Sequence, residues 1–97
     1  MSSPEQRASW TFLTNHTQVL LCLARDPEIR LRDVAASVGI TERAAQRILS
    51  DLVKAGYVQT ERVGRRNRYT IEKDHAMRHV AQAGYEVGSL IDLLKPN

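Results

Sequence analysis

A chain of 97 residues and 11.0 kDa has room for one domain with a single core, and no room for a large enclosed active site. Hydrophobic residues make up 42% and charged residues 26%, proportions that exclude the disordered, collagen-like and membrane-spanning classes. Lys and Arg exceed Asp and Glu by 14 to 11, and the meaning of this small excess depends on where it lies along the chain.

The beginning of the chain predicts neither a leader nor a membrane anchor. Residues 1–9 are polar and are expected to be loose, and the longest apolar run, 19–23, is far too short to span a bilayer. Cys22 is the one cysteine and lies within that run, so an intrachain disulfide is excluded and a buried thiol is expected. These features predict a cytoplasmic protein whose Trp10 and Phe12 anchor the first helix.

The first predicted elements are a helix and a very short strand. Asn15 with Gln18 three residues later resembles a capping box, which predicts a helix over about 15–25. Asp26-Pro27 ends this helix because the residue before a proline avoids helical geometry. The apolar, polar, apolar alternation of residues 29–31 predicts the strand.

Two helices joined by a tight turn follow. Apolar positions offset by three and four predict a short helix from Asp33 to Val38, and Gly39 suits the left-handed position that follows a last turn. Thr41 is a good N-cap for a longer helix over about 42–55, which Gly56 ends. The positions of this helix predicted to face the core are Ala45, Leu49, Leu52 and Val53.

The last part of the chain predicts a hairpin and a terminal helix. Runs of alternating character at 57–63 and 68–72 flank a polar link, 64–67, that contains a glycine. Asp74 is placed to cap a helix over about 75–95.

A short helix, a tight turn and a longer capped helix are the layout of a helix-turn-helix, whose second helix enters the major groove of DNA. The longer helix leaves polar residues opposite its core positions, and Gln and Arg side chains bind adenine and guanine bidentately. A merely solvated helix face is the alternative for these residues taken alone. The candidate DNA-binding residues of the helix are Thr41, Glu42, Arg43, Ala44, Gln46, Arg47 and Ser50.

The positive excess of the chain is confined to the longer helix and the hairpin. Residues 42–68 hold seven basic and three acidic side chains, a net charge of +4, and the rest of the chain carries −1. Six of the seven basic residues are Arg, which forks onto phosphate and stays charged. The hairpin is therefore predicted to probe a minor groove or the DNA backbone. Its candidate residues are Arg62, Arg65, Arg66, Asn67 and Arg68.

Five segments carry a pattern that goes beyond composition: 31–35, 39–41, 48–52, 55–58 and 64–69. The most specific parts are the helix end Leu-x-x-Ala-Gly-Tyr-Val and the arginine-rich hairpin followed by a tyrosine. Over about residues 15–72 the chain resembles the winged helix-turn-helix of the ArsR and MarR repressors. This resemblance implies that Gln46 and Arg47 contact bases and phosphates, and that the hairpin arginines lie on the wing.

The predicted terminal helix carries an apolar seam with the 3.5-residue period of a coiled coil, and its small residues permit close approach of a second backbone. This seam either packs on the helix at 15–25 within one chain or pairs with its mate in a homodimer. The dimer is favoured because a helix-turn-helix reads palindromic sites with two-fold symmetry, and the ArsR resemblance implies the same. The predicted dimer contacts are Met77, Val80, Ala81, Gly84, Val87, Gly88, Ile91 and Leu94.

Metal binding and catalysis find little support in the sequence. His75 and His79 have the i, i+4 spacing of a chelating pair, and some ArsR-type repressors carry Asp and His ligands on their last helix. Because residues 86–97 contain no further histidine, we predict no metal and no cofactor. The sequence has neither a nucleophile paired with a base nor a phosphate-binding loop, so we do not predict an enzyme. A small-molecule effector at the dimer interface is left open.

The sequence thus predicts one domain over residues 1–97, mostly α with a small β-hairpin wing (α+β). A winged helix-turn-helix core occupies 10–74 and a dimerisation helix 75–95. The predicted function is sequence-specific binding of double-stranded DNA as a homodimer on an inverted repeat, with repression of transcription. The alternative is a winged-helix module that docks on protein partners without reading DNA. Charge favours the first, since protein docking does not require arginines in the helix and hairpin.

Overall fold

The structure, a computed structural model, describes residues 13–77 and 84–94. Over these ranges the elements are α1 (Asn15–Arg25), α2 (Leu31–Val38), α3 (Glu42–Lys54), β1 (Val58–Val63), β2 (Arg66–Ile71) and α4 (Val87–Leu94). The predicted α+β class, with a hairpin after the third helix and a helix at the C-terminal end, is confirmed. None of the described helices has both the length and the apolar character that crossing a membrane requires.

The first helix has the predicted bounds but a different cap. Thr14 is the N-cap, in extended conformation, and its side-chain oxygen accepts from the backbone N–H of Thr17 at 3.3 Å. The predicted capping box of Asn15 and Gln18 is wrong, because Asn15 is already the first helical residue. Asp26 is the C-cap, as the Asp-Pro pair predicted.

The strand predicted at 29–31 is wrong. The backbone N–H of Glu28 donates to Asp26 Oδ1 at 3.1 Å, and the chain turns there instead of extending. The loop contacts the hairpin through its backbone at Pro27, whose O accepts from Tyr69 N–H at 2.8 Å. Leu31 begins α2 two residues earlier than the sequence indicated.

The turn between α2 and α3 is built as predicted. Gly39 ends α2 with a φ of 85°, and its N–H donates to Ala35 O at 2.8 Å. Thr41 caps α3, and its Oγ1 accepts from Ala44 N–H at 3.0 Å. Since side chains with a Cβ rarely adopt so positive a φ, glycine at 39 fixes the angle at which α3 leaves α2.

The core joins all the helices to the base of the hairpin. On α3 the buried positions are Ala45, Ile48, Leu49 and Leu52, which follow the helical spacing of three and four. Val53, predicted to face inward, is 40% exposed, and Ile48 takes its place in the core. The thiol of Cys22 is free and buried, as the sequence predicted.

A side-chain hydrogen bond at the surface links α1 to α3. His16 Nε2 donates to Asp51 Oδ2 at 2.9 Å. This hydrogen bond lowers the pKa of Asp51, so the carboxylate stays ionised further into the acid range. Both side chains are about half exposed, and the pair therefore supports the packing of the two helices without replacing it.

The turn of the hairpin is tighter than predicted. The strands pair antiparallel from Val58 with Ile71 to Val63 with Arg66, which leaves Gly64-Arg65 as a two-residue turn. Residues 66 and 67, predicted to belong to the link, therefore lie in β2. At the base of the hairpin Val58 and Tyr69 are buried against the helices.

The terminal helix is present, but the predicted extent of 75–95 is wrong. The helix begins at Val87, and Asp74 lies in a turn that caps no helix. Before it, Ala76 pairs antiparallel with Glu86 in an isolated bridge, and Gly84 has a φ of 93° that no α-helix accommodates. The heptad spacing cannot reveal this bridge because the pairing joins residues ten positions apart.

Residues 72–77 follow β2 and fasten the hairpin and α4 to the body of the domain. His75 Nε2 donates to Ala55 O at 2.8 Å, just past the end of α3. The hydroxyl of Tyr57 donates to Ala76 O at 2.7 Å. These bonds hold the segment against the junction of α3 and β1.

The short terminal helix packs within its own chain. Val87 and Ile91 are buried, and α4 lies against α1. Gly88 N–H donates to Lys73 O at 2.8 Å, and a Cβ at position 88 would approach the Cβ and the carbonyl oxygen of Lys73 to 2.8 Å. The small residue at 88 therefore admits the chain's own connecting segment.

We predict that Gly88→Ala destabilises the domain by about 1–2 kcal/mol. Overpacking against Lys73 costs about 1–3 kcal/mol, which outweighs the gain in helix propensity of up to about 1 kcal/mol. Urea denaturation followed by circular dichroism measures the difference. Ser89→Ala is the matched control, because residue 89 is exposed on the same helix and the substitution should be neutral or slightly stabilising. A midpoint for Gly88→Ala at or above that of the native chain would contradict the packing of α4.

Candidate nucleic-acid interface

The N-terminal half of α3 presents a polar face to solvent. The core residues of this helix lie on its other side, so Glu42, Arg43, Gln46 and Arg47 are exposed, and Ala44 and Ser50 are half-buried. No hydrogen bond or ion pair within the described chain engages the side chains of Arg43, Gln46 or Arg47. The hydrogen-bonding groups of this face are therefore available to a ligand.

Charge along α3 also suits a polyanion. Arg43 and Arg47 belong to its exposed face, and Lys54 lies in its last turn. The one acidic group on the exposed face near its start, Glu42, sits in the first turn, where the helix dipole favours a carboxylate.

The hairpin projects its turn away from the core. The four residues of the turn and its flanks, 63–66, are all exposed. Arg65, at the turn, makes no hydrogen bond or ion pair with any other part of the described chain. Arg62 is steadied by a bond of 3.2 Å from its Nε to Gly64 O. The tip thus carries a free guanidinium on a short, stiff turn.

A cleft of 680 Å³ lies between α3 and the hairpin. It brings together five of the residues predicted from the sequence to bind DNA: Gln46 and Ser50 of α3, with Arg65, Arg66 and Asn67 of the hairpin. Its floor includes Leu49 and Tyr69, which belong to the core. The other predicted residues, Thr41–Ala44, Arg47, Arg62 and Arg68, lie outside the cleft.

Sequence reasoning missed four polar residues of this cleft. They are Glu28, Arg30, Lys54 and Thr60. Lys54 already counted among the basic residues of its segment, and its place in the last turn of α3 is the signal that could have assigned it. Arg30 was assigned to the predicted strand at 29–31. No local sequence pattern relates it to a hairpin some 30 positions further along the chain.

Two of the hairpin arginines are engaged by the loop between α1 and α2. Arg68 Nη2 pairs with Glu28 Oε2 at 2.9 Å, and Arg66 Nη1 donates to the backbone oxygen of the same residue at 3.1 Å. These two side chains were predicted to contact DNA. In the structure each already has a partner, which distinguishes them from Arg65.

The predicted dimer contacts fall into separate environments. Val87, Gly88 and Ile91 are buried in the chain's own core, and Leu94 is half-buried against it. Met77 is half-buried beside an apolar groove of 640 Å³ that α1, the end of α3 and α4 border, and Gly84 is exposed. Val80 and Ala81 lie outside the described residues. Of the two alternatives for the seam, packing within one chain accounts for the buried part of α4.

Of the two histidines considered for metal binding, only His75 lies in the described part of the chain. The ring of His75 bonds to Ala55 O and lies tilted by 46° against the ring of Tyr57, with 4.4 Å between the ring centroids, and His79 lies outside the described residues. Across residues 13–77 and 84–94 no three His, Cys, Asp or Glu side chains group as a metal site would require.

Comparison with known proteins agrees with this geometry. Residues 13–59 match the family model described as winged helix-turn-helix DNA-binding. The match begins just before α1, covers α2 and α3, and ends in β1. It concerns the winged helix-turn-helix in general, and the ArsR and MarR assignment stays a prediction. A search of curated proteins finds no match to the chain.

Proposed function

We propose that the chain binds double-stranded DNA sequence-specifically and regulates transcription, because residues 13–59 match the family model described as winged helix-turn-helix DNA-binding. The observation that carries this proposal is the exposed, unoccupied face at the start of α3. It offers Arg43, Gln46 and Arg47 beside a capped helix N-terminus, where backbone N–H groups favour phosphate. α3 would lie in the major groove with this face toward the base edges.

The residues divide into base readers and backbone contacts. Gln46, with Arg43 or Arg47, suits bidentate pairing to adenine or guanine. Thr41, Glu42, Ala44 and Ser50 border these groups and would meet the groove walls. Arg65 at the hairpin tip, with Arg62 and Asn67 behind it, suits phosphate or a narrow minor groove.

A homodimer is the second part of the proposal. Two large apolar side chains in the C-terminal part of the chain are exposed, Leu93 on α4 by 79% and Tyr85 before α4 by 65%. We infer that these exposed side chains, rather than the buried Val87 and Ile91, meet a second copy. Two copies related by a two-fold axis would read an inverted repeat, and a dimer seated on its operator excludes other proteins from that DNA, which is repression in its simplest form.

Selection from a pool of random duplexes tests the function and the symmetry together. We expect enrichment of an inverted repeat whose half-sites are about one helical turn apart. Enrichment of a single half-site would contradict the dimer. Absence of any salt-dependent binding to duplex DNA would contradict DNA recognition and favour a module that docks on protein.

Gln46→Ala should reduce discrimination without reducing general affinity. We expect a loss of about 1–3 kcal/mol on the selected site, confined to one or two base pairs, and nearly unchanged binding to random duplex. Arg65→Ala is the matched comparison and should weaken both equally while flattening the salt dependence by about one phosphate contact. Fluorescence anisotropy on both duplexes measures these effects. An equal loss on both duplexes for Gln46→Ala would remove α3 from the base-reading role.

Leu93→Arg should convert the dimer to a folded monomer. The side chain is exposed in one chain, so the substitution leaves the core intact, while a charge buried at a dimer contact is costly. Sedimentation across a concentration series measures the association, and circular dichroism checks the fold. Leu93→Met keeps the apolar contact and should remain dimeric. A native chain that is monomeric at tens of micromolar would contradict the proposal.

A further inference from the structure

We propose that the carboxylate of Glu28 competes with DNA phosphate for the wing arginine Arg68, and so lowers the affinity of the chain for all duplex DNA. This inference rests on the proposed function. Glu28 lies in the α1–α2 loop, outside α3 and outside the hairpin, and its carboxylate occupies Arg68 as a DNA phosphate would.

The geometry is that of a formed ion pair within reach of solvent. Glu28 Oε2 lies 2.9 Å from Arg68 Nη2, and the two side chains are 42% and 47% exposed. A carboxylate and a phosphate offer a guanidinium the same arrangement of acceptor oxygens. Since the pair is half exposed, phosphate can approach Arg68 only in competition with a group that already satisfies it.

The loop that presents Glu28 is fixed by contacts that its side chain does not supply. Its own N–H donates to Asp26 Oδ1 at 3.1 Å, and its backbone oxygen accepts from Arg66 at 3.1 Å. The neighbouring Pro27 O accepts from Tyr69 N–H in β2 at 2.8 Å. The hairpin therefore stays anchored to the loop when the side chain of Glu28 is changed, which separates the charge from the scaffold.

The place of Glu28 in the cleft gives its charge a second effect. The other charged residues that line the cleft between α3 and the hairpin are all cations, Arg30, Lys54, Arg65 and Arg66. DNA backbone drawn to these groups passes close to a fixed negative charge. If Arg68 leaves Glu28 to bind a phosphate, the carboxylate of Glu28 is left unpaired beside the polyanion. If Arg68 stays with Glu28, one cation is lost to DNA binding. Either outcome lowers the affinity for DNA, and the effect is independent of the DNA sequence.

A purely structural role for the same pair makes the opposite prediction. If Glu28 serves only to hold Arg68 in a position that suits DNA, loss of the pair weakens binding. Glu28→Gln keeps an oxygen acceptor for Arg68 and removes the charge, while Glu28→Ala removes both. A competitor predicts a gain of affinity for both variants, and a structural support predicts a loss for Ala with little change for Gln.

The experiment is equilibrium binding of a fluorescent random-sequence duplex across a salt series. We expect Glu28→Gln to bind about two- to fivefold more tightly, with a salt slope steeper by about one phosphate contact. Asp74→Asn is the matched control, since it removes one negative charge from an exposed turn at the far end of the hairpin and should change affinity by less than the Gln variant. Thermal melting confirms that the variants are folded.

Arg68→Ala identifies the partner. In that background Glu28→Gln should give a clearly smaller gain than in the native chain, because only the repulsion by the carboxylate is relieved and no withheld guanidinium remains to be released. An undiminished gain in that background, or unchanged or weaker binding by Glu28→Gln alone, would overturn the inference and leave the proposed function standing. A native chain that binds no duplex even at low salt would overturn the proposed function and the inference with it.

Discussion

The burial of one helix organises the domain. Five consecutive residues of α1, Val19 to Leu23, are buried, so the middle of this helix is covered on every side. α2, α3, β2 and α4 all pack against it. A helix that is apolar all round is stable only inside other structure, and each of its neighbours contributes one apolar face to that enclosure.

This arrangement leaves the polar side chains at the surface. No polar or charged residue of the described chain is fully buried, and α3 gives its core positions to α1 and its opposite face to solvent. The position of that face depends on two local features, the left-handed backbone of Gly39 and the Thr41 cap, which set the start and direction of α3 after α2. The groups that we expect to meet DNA therefore stand on a rigid support, and a change in them has little effect on the core.

The parts of the molecule that depend on local chemistry could be predicted from the sequence. The turn at Gly39 and Thr41, the cap at Asp26 and the hairpin strands all follow from residues within a few positions of one another. The prediction for Val53 was wrong because Val53 follows Leu49 by four residues, as a core position would, whereas repeated steps of four rotate away from the centre of the buried face. The predicted extent of the terminal helix was wrong because the Ala76–Glu86 bridge and the hydrogen bonds of residues 72–77 replace helix there, although the sequence keeps a heptad pattern. For the candidate site, the composition of α3 and the hairpin was readable, whereas the pair of Glu28 with Arg68 spans 40 positions and has no local signal.

The way α4 is attached has a consequence for how the domain opens. This helix buries Val87, Gly88 and Ile91, packs Leu94 against the core and makes backbone bonds to His75 and Lys73. Its packing on α1 is less extensive than the packing of α1, α2 and α3 on one another. The helix is thus a unit that can detach by itself, at a smaller cost in free energy than unfolding of the whole. Its amides should exchange with solvent faster than those of α1 and α3, and its departure would uncover part of α1 while the turn at Gly39 and the face of α3 keep their form.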